Sequence, residues 1–231
     1  MKALLTDIDG TITDPSRRLH TGAMELIRSL VDEGVEVVLA SGNTSCFMDS
    51  LCRMIGTSGT FIAENGGVFR IGYTGTPRIK GDQGICKKAL EIVRSHYRKQ
   101  GKEIELFNAA YRYTDLAFAR TVSADEVRKI LTDFPVKVID TGFAIHLQSP
   151  GIDKGTALTG LAQEMGMIPA DFLAIGDSVN DIQMLKNAGI GVTVANANPE
   201  TKASAEYIAK KEYGDGFVEA ITLYYPYFRA R

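Results

Sequence analysis

The chain is predicted to be an α/β protein, with a doubly wound, mainly parallel core sheet interrupted by a smaller α+β module. Three observations carry the prediction. Short apolar runs, too brief for helices, recur at the start, before Ser41, before Glu64 and from Phe172, with helical patterns between them. The pattern changes between residues 82 and 149, where strand-like runs pair with two helical stretches. Acidic clusters follow two of the apolar runs, one from each half of the chain, and in open α/β sheets ligands sit beyond the carboxyl ends of strands.

Taken in order, residues 1–8 (MKALLTDI) read as a buried strand turned by Gly10 and Thr11. Helix 21–33, strand 35–40, helix 44–54 and strand 60–63 follow as βαβ units. Residues 66–79, rich in glycine, read as a hairpin leading out of the core. The inserted module is expected at 82–149, with helices 85–99 and 124–133 and strands 116–120, 136–140 and 143–148. Helix 154–165, strand 172–176, helix 179–187, strand 190–194 and a last helix after Gly214 return to the core, so the domains are expected at 1–81 with 150–231, and at 82–149.

At 231 residues a chain can bury about 70–75% of its unfolded surface, enough for one core and a smaller module. Hydrophobic content of 45% and charged content of 23% are ordinary for a globular protein. A net charge of −2 gives no basic field, so no nucleic-acid partner is expected. No apolar stretch approaches spanning length, so a membrane is not expected either, and the cytoplasm is the expected compartment. Cys46, Cys52 and Cys86 are odd in number and form no C-x-x-C pair, which suits a reducing environment; Cys46 is expected to be a small buried hydrophobe. A homodimer is left open.

Asp7 and Asp9 stand two positions apart where the first strand ends, one able to attack and the other able to move a proton. A plain Asp-Gly turn is the alternative. The second cluster, Asp177-Ser178-Val179-Asn180-Asp181, follows the run at Phe172. Carboxylates brought to strand ends from both clusters would repel one another without a cation, and hard oxygen ligands favour Mg2+; Asp177 or Ser178 as a helix cap is the competing reading. Between the clusters, Ser41-Gly42-Asn43-Thr44 offers an anion cradle at a helix start, or an ordinary capped turn. Lys154 opens the helix before the last acidic strand, where a phosphate site needs a positive charge.

These residues, in this order, resemble the motifs of the haloacid dehalogenase superfamily of aspartyl-phosphate phosphotransferases. Asp7-Ile8-Asp9-Gly10-Thr11-Ile12-Thr13 is similar to its nucleophile motif, Ser41 to its hydroxyl, Lys154 to its phosphate lysine, and Gly176 to Asp181 to its metal motif. Glu64-Asn65-Gly66-Gly67 is similar to a turn of the branch whose cap domain lies between the second and third motifs. The resemblance implies a Rossmann-like core with an inserted cap that selects the leaving group. It also implies Asp7 as nucleophile and metal ligand, Asp9 as general acid/base giving its carbonyl to the metal, Asp177 as a second ligand, and Asp181 completing or orienting the shell. Ser41, Gly42, Asn43 and Lys154 would hold the phosphate.

Many relatives carry arginine where this chain has Asn43. That departure, with Lys210-Lys211-Glu212-Tyr213-Gly214, looks more like small archaeal members that act on 2-phosphoglycolate. The expected partner is therefore a small phosphomonoester, and Arg112 is the candidate cation for its carboxylate, with a solvated loop charge as the alternative. His146 is read as a structural histidine. A sugar-phosphate phosphatase or phosphomutase on the same core is the second expectation; a phospho-acceptor signalling module is the third, disfavoured because Asp9 is placed to destroy a phosphoaspartate.

Overall fold

Leu4 packs to one side of the first strand, and Ala3 and Leu5 to the other; this alternation is repeated across the core. In the second strand Val37 and Leu39 join one cluster and Val38 and Ala40 the other, and in the strand at 172–176 Leu173 and Ile175 oppose Phe172 and Ala174. A sheet apolar on both faces must be covered on both, which is why these strands read as continuous apolar runs. The computed structural model describes residues 1–230.

The chain runs β1 (Ala3–Asp7), α1 (Thr21–Asp32), β2 (Glu36–Ala40), α2 (Ser45–Ile55), β3 (Phe61–Ala63), β4 (Val68–Arg70) and β5 (Arg78–Ile79). Next come α3 (Gln83–Arg98), β6 (Leu106–Phe107), β7 (Asp115–Ala119), α4 (Ala124–Ile130), β8 (Lys137–Asp140) and β9 (Ala144–Gln148). It ends with α5 (Lys154–Glu164), β10 (Phe172–Gly176), α6 (Ile182–Asn187), β11 (Ile190–Thr193), α7 (Pro199–Lys202), β12 (Tyr207–Ile208) and α8 (Tyr213–Tyr224). Chain contacts divide it into two units, one of Met1–Arg78 with the segment from Asp153 onward, the other Ile79–Ile152.

In the first unit the strand order is β12-β11-β10-β1-β2-β3-β4-β5. Pairings from β12 through β3 are parallel, and β4 runs antiparallel to β3. From β1 the chain winds outward through β2 and β3 on one side, and from β10 through β11 and β12 on the other. The order therefore reverses between β1 and β10, the kind of crevice where α/β sheets bind ligands. Ala23, Ile27 and Leu30 of α1, Met48, Leu51, Cys52 and Ile55 of α2, and Phe217, Ala220 and Ile221 of α8 cover one face; Leu158 and Leu161 of α5 and Met184 and Leu185 of α6 cover the other.

The second unit is an antiparallel sheet, β6-β7-β9-β8, packed by α3 and α4 around Cys86, Val93, Tyr97, Phe118, Val127, Ile145 and Leu147. Among the described residues no helix is long and apolar enough to cross a membrane.

Two sequence expectations need correction, and one further segment holds elements that the sequence did not show. Cys46 is exposed, because α2 buries Met48, Leu51, Cys52 and Ile55 at helical spacing and Cys46 falls on the opposite side. Helix 179–187 begins only at Ile182, because residues 178–181 form a turn closed by Asp181, whose Oδ2 accepts from the backbone N–H groups of Asp177 and Ser178. The segment 195–212 contains α7 and β12, too short to leave a period in the sequence.

Candidate active site

β1 delivers Asp7 as its last residue, 6% exposed, and β10 ends one residue before Asp177. Because β1 and β10 are parallel neighbours in register, both carboxylates arrive at the same end of the sheet. Ligand oxygens of Asp7, Asp177 and Asp181 lie within 4.8 Å of one another. Gly10 makes that approach possible: it sits at φ +92, and a Cβ there would stand 2.3 Å from Asp177 Oδ2. Asn196 Nδ2 donates to the Gly10 carbonyl and Gly10 N–H to Thr13 Oγ1, fixing the loop.

Lys154 is the first residue of α5, whose capping box is made by Asp153 and Thr156. It is fully buried, and its Nζ donates to Asp7 Oδ1 at 2.5 Å and to Asp181 Oδ1 at 2.6 Å. The turn Glu64–Gly66 sets this position. Gly66, at φ +101, would place a Cβ 2.1 Å from the carbonyl oxygen of Asp153, so the turn packs directly on the start of α5. The same turn holds the other site segments: Glu64 N–H donates to the Asn43 carbonyl, Asn65 N–H to the Ser41 carbonyl, and Asn180 Nδ2 to Asn65 Oδ1. Replacement of Gly66 by Ala combines a left-handed backbone, costing about 1–3 kcal/mol for a side-chain-bearing residue, with a main-chain clash. The expected result is a clear drop in thermal midpoint, read by a melt.

Asp9 has a different environment. It is partly exposed, and each of its oxygens has a donor: Asn43 Nδ2 at 3.2 Å from Oδ2, and Arg17 Nη2 at 3.1 Å from Oδ1. Asn43 Nδ2 also donates to Ser41 Oγ at 3.0 Å, and Ser41 is 2% exposed at the end of β2. Gly42 lies half-buried between them. Two carboxylates two residues apart thus have different environments, Asp7 buried among charges and Asp9 partly exposed between Asn43 and Arg17.

Three carboxylates face one ammonium. Burial pushes Asp7 well above the usual carboxylate range; Lys154 opposes this, while Asp181 and Asp177 add to it. Asp177 is pushed up to about 7 by burial and then by Asp181, with Lys154 and the Thr11 hydroxyl opposing. For Lys154, burial favours the neutral amine, but the charges of Asp181 and Asp7 outweigh it and hold the ammonium above its ordinary range. An all-oxygen set with this excess of negative charge can hold a hard divalent cation. Asp181 has Oδ2 on two backbone N–H groups and Oδ1 on Lys154, so it is placed to orient the cluster.

Asp7, Asp9, Ser41, Gly42, Asn43, Lys154, Asp177 and Asp181 all belong to the first unit. Arg112 belongs to the second and is not a solvated loop charge. Its side chain is 4% exposed; Nη1 donates to Asp115 Oδ1 at 2.6 Å and Nε to the Phe107 carbonyl. His146 Nδ1 lies 2.8 Å from the other Asp115 oxygen, a structural role. Burial would raise Asp115, but the hydrogen bond with His146 and the Arg112 charge outweigh it and hold this carboxyl below the usual range. Withdrawing Arg112 from this buried pair would cost about 3–5 kcal/mol.

Sequence reasoning missed Arg17 and Asn196, and read Asn65 only as part of a turn. Asn65, at φ +53 inside Glu-Asn-Gly-Gly, carried the clearest signal, since such a string marks a special turn.

The doubly wound core agrees with comparison to known proteins. The model of the haloacid dehalogenase-like hydrolases matches residues 4–129 and 88–221. A phosphoglycolate phosphatase of Methanoculleus marisnigri is 57% identical over the whole of both chains, and one of Methanospirillum hungatei 48% identical, also over the whole of both. The crystal structure of Thermoplasma acidophilum 0175 superposes with a TM-score of 0.84 at 26% identity, covering 97% of this chain and 98% of its own. The chain belongs to the haloacid dehalogenase-like hydrolases. Within that family it groups with phosphatases, enzymes that hydrolyse phosphoric monoesters.

Proposed function

We propose that the protein is a magnesium-dependent phosphatase that hydrolyses 2-phosphoglycolate to glycolate and phosphate through an aspartyl phosphate on Asp7. The observation that carries the chemistry is the convergence of Asp7, Asp177 and Asp181 on Lys154, with Asp9 held apart on Asn43 and Arg17. The substrate rests on the relatives, which are phosphoglycolate phosphatases at 57% and 48% identity. Magnesium on the carboxylates of Asp7 and Asp177 and the carbonyl of Asp9 would neutralise phosphoryl charge. An Asp7 oxygen attacks phosphorus in line as the ester P–O bond breaks, and Asp9 gives its proton to the leaving alkoxide. Asp9 then takes a proton from a water that attacks the phosphorus of the aspartyl phosphate, returning the Asp7 carboxylate and releasing phosphate. Lys154, with Ser41 and the turn at Gly42 and Asn43, meets the equatorial oxygens, where transition-state charge resides. Residues 82–149 serve as the cap in this reading, and the three free thiols suit a reducing cytoplasm.

The test is phosphate release from 2-phosphoglycolate, hexose phosphates and an aryl phosphate, with magnesium and with excess chelator. Fast, chelator-sensitive release selective for 2-phosphoglycolate is expected. Release from hexose phosphates alone would replace the substrate with a sugar phosphate, and no release from any would favour a phospho-acceptor module.

The acidic cluster also sets a pH dependence. Between the ordinary carboxylate range and about 7 the folded, metal-free protein holds a proton at Asp177 that the unfolded chain has lost, so stability falls as pH rises through that window. Bound magnesium displaces that proton. The increase in thermal midpoint on adding magnesium is therefore expected to be larger at pH 8 than at pH 5.5, and equal increases would exclude Asp177 as a ligand.

A further inference from the structure

A phosphorylated 2-hydroxy acid carries a carboxylate one methylene away from the ester oxygen that its hydrolysis releases. Its recognition needs a cation close to the general acid, because the acid must touch that same oxygen. Arg112 is paired with Asp115, and Lys154 is engaged by Asp7 and Asp181. Among the described residues, Arg17 is a cation in contact with a further carboxylate of the site, Asp9. Its Nη2 stands 3.1 Å from Asp9 Oδ1, and its side chain is 41% exposed.

The backbone around Arg17 is built for that reach. Residues 13–19 form a tight hairpin: Thr13 and Leu19 bridge, Asp14 N–H donates to the Arg18 carbonyl, Arg17 N–H to the Asp14 carbonyl, and Arg18 N–H to Asp14 Oδ1. Arg17 occupies the tip at φ +65, a conformation that side-chain-bearing residues rarely adopt. A non-glycine residue held there, with its side chain turned onto Asp9, is a backbone outlier at a functional position. A guanidinium offers five donors in a planar fork, so contact with Asp9 is compatible with a bidentate grip on a second carboxylate.

We infer that Arg17 is the specificity residue of this site, gripping the carboxylate of the leaving group while Asp9 protonates its ester oxygen. This rests on the proposed phosphatase reading and assigns leaving-group recognition, at least in part, to the hairpin of the catalytic unit. The distance supports it. A carboxylate oxygen of such a substrate lies on the order of 3 Å from the ester oxygen, and the proton-transfer contact of Asp9 spans roughly another 3 Å. A donor already 3.1 Å from Asp9 therefore lies within one contact of that carboxylate.

The experiment compares kcat/KM for 2-phosphoglycolate and for ethyl phosphate, which replaces the carboxylate with a methyl group, in wild type, Arg17→Met and Arg17→Lys. Using the ratio of the two substrates cancels any effect that Arg17 exerts through Asp9 alone. In Arg17→Met the ratio is expected to fall on the order of 30-fold or more, the size of a charged hydrogen bond. Arg17→Lys, which keeps the charge and loses the fork, should fall between the two. Circular dichroism checks that both variants are folded. A wild type that prefers 2-phosphoglycolate, with a ratio unchanged in Arg17→Met, overturns the inference alone. A wild type with no preference for the carboxylate ester overturns the substrate reading and the inference with it.

Discussion

Asp7→Asn is expected to lower turnover by about 10⁴-fold or more while leaving the fold intact. An amide cannot form the acyl phosphate, and no other carboxylate of the site stands at the end of β1; Asp177 approaches from β10 and Asp181 is occupied by Lys154 and two backbone N–H groups. Stability should hold or rise. Asp7 is 6% exposed in a cluster where three carboxylates meet one ammonium, so neutralising it removes a buried charge that burial, Asp181 and Asp177 all disfavour. Phosphate release and a thermal melt on the same preparation check both halves. Wild-type turnover in this variant would exclude a covalent intermediate on Asp7.

Lys154→Met should have the largest effect on stability. The lysine is fully buried and pairs with Asp7 and Asp181, and removing one partner of a buried pair costs about 3–5 kcal/mol, because the remaining charge has neither water nor a counter-ion. For a chain of this length each kcal/mol moves the thermal midpoint by about 2–4 °C, so a fall of roughly 6–20 °C is expected. The deficit should shrink on acidification, since Asp7 is already raised toward protonation and loses its need for a counter-ion once neutral. Melts at pH 5 and pH 8 measure this. A midpoint unchanged at both would mean that the two ion pairs contribute nothing, and equal falls at both would place the cost in packing of the lysine stem.

The legibility of this protein follows the range of the interactions involved. β1, β2 and β10 could be read because each is a short run buried on both faces, and residues at their ends, Asp7, Ser41 and Asp177, could be placed because a strand end in an open α/β sheet is a site by geometry. Lys154 could be placed by its order among the motifs, and the capping box of Asp153 and Thr156 starts α5 there. β6 and β12, two residues each, have no period to read. The burial of Arg112 could not be read because its partner, Asp115, is an acidic residue in a strand whose burial depends on β9 and its His146.

Helix, strand and turn, and the residue types able to perform phosphate chemistry, were determined by the sequence itself, since periodicity, capping and turn preference act over a few neighbouring residues. Only the tertiary structure decided which donor meets which oxygen. Lys154 reaches across 147 positions to Asp7 and across 27 to Asp181, and Asn43 reaches back 34 positions to Asp9. A hydrogen bond depends on tenths of an ångström set by the packing of strands and helices between its ends, and no local spacing carries that information.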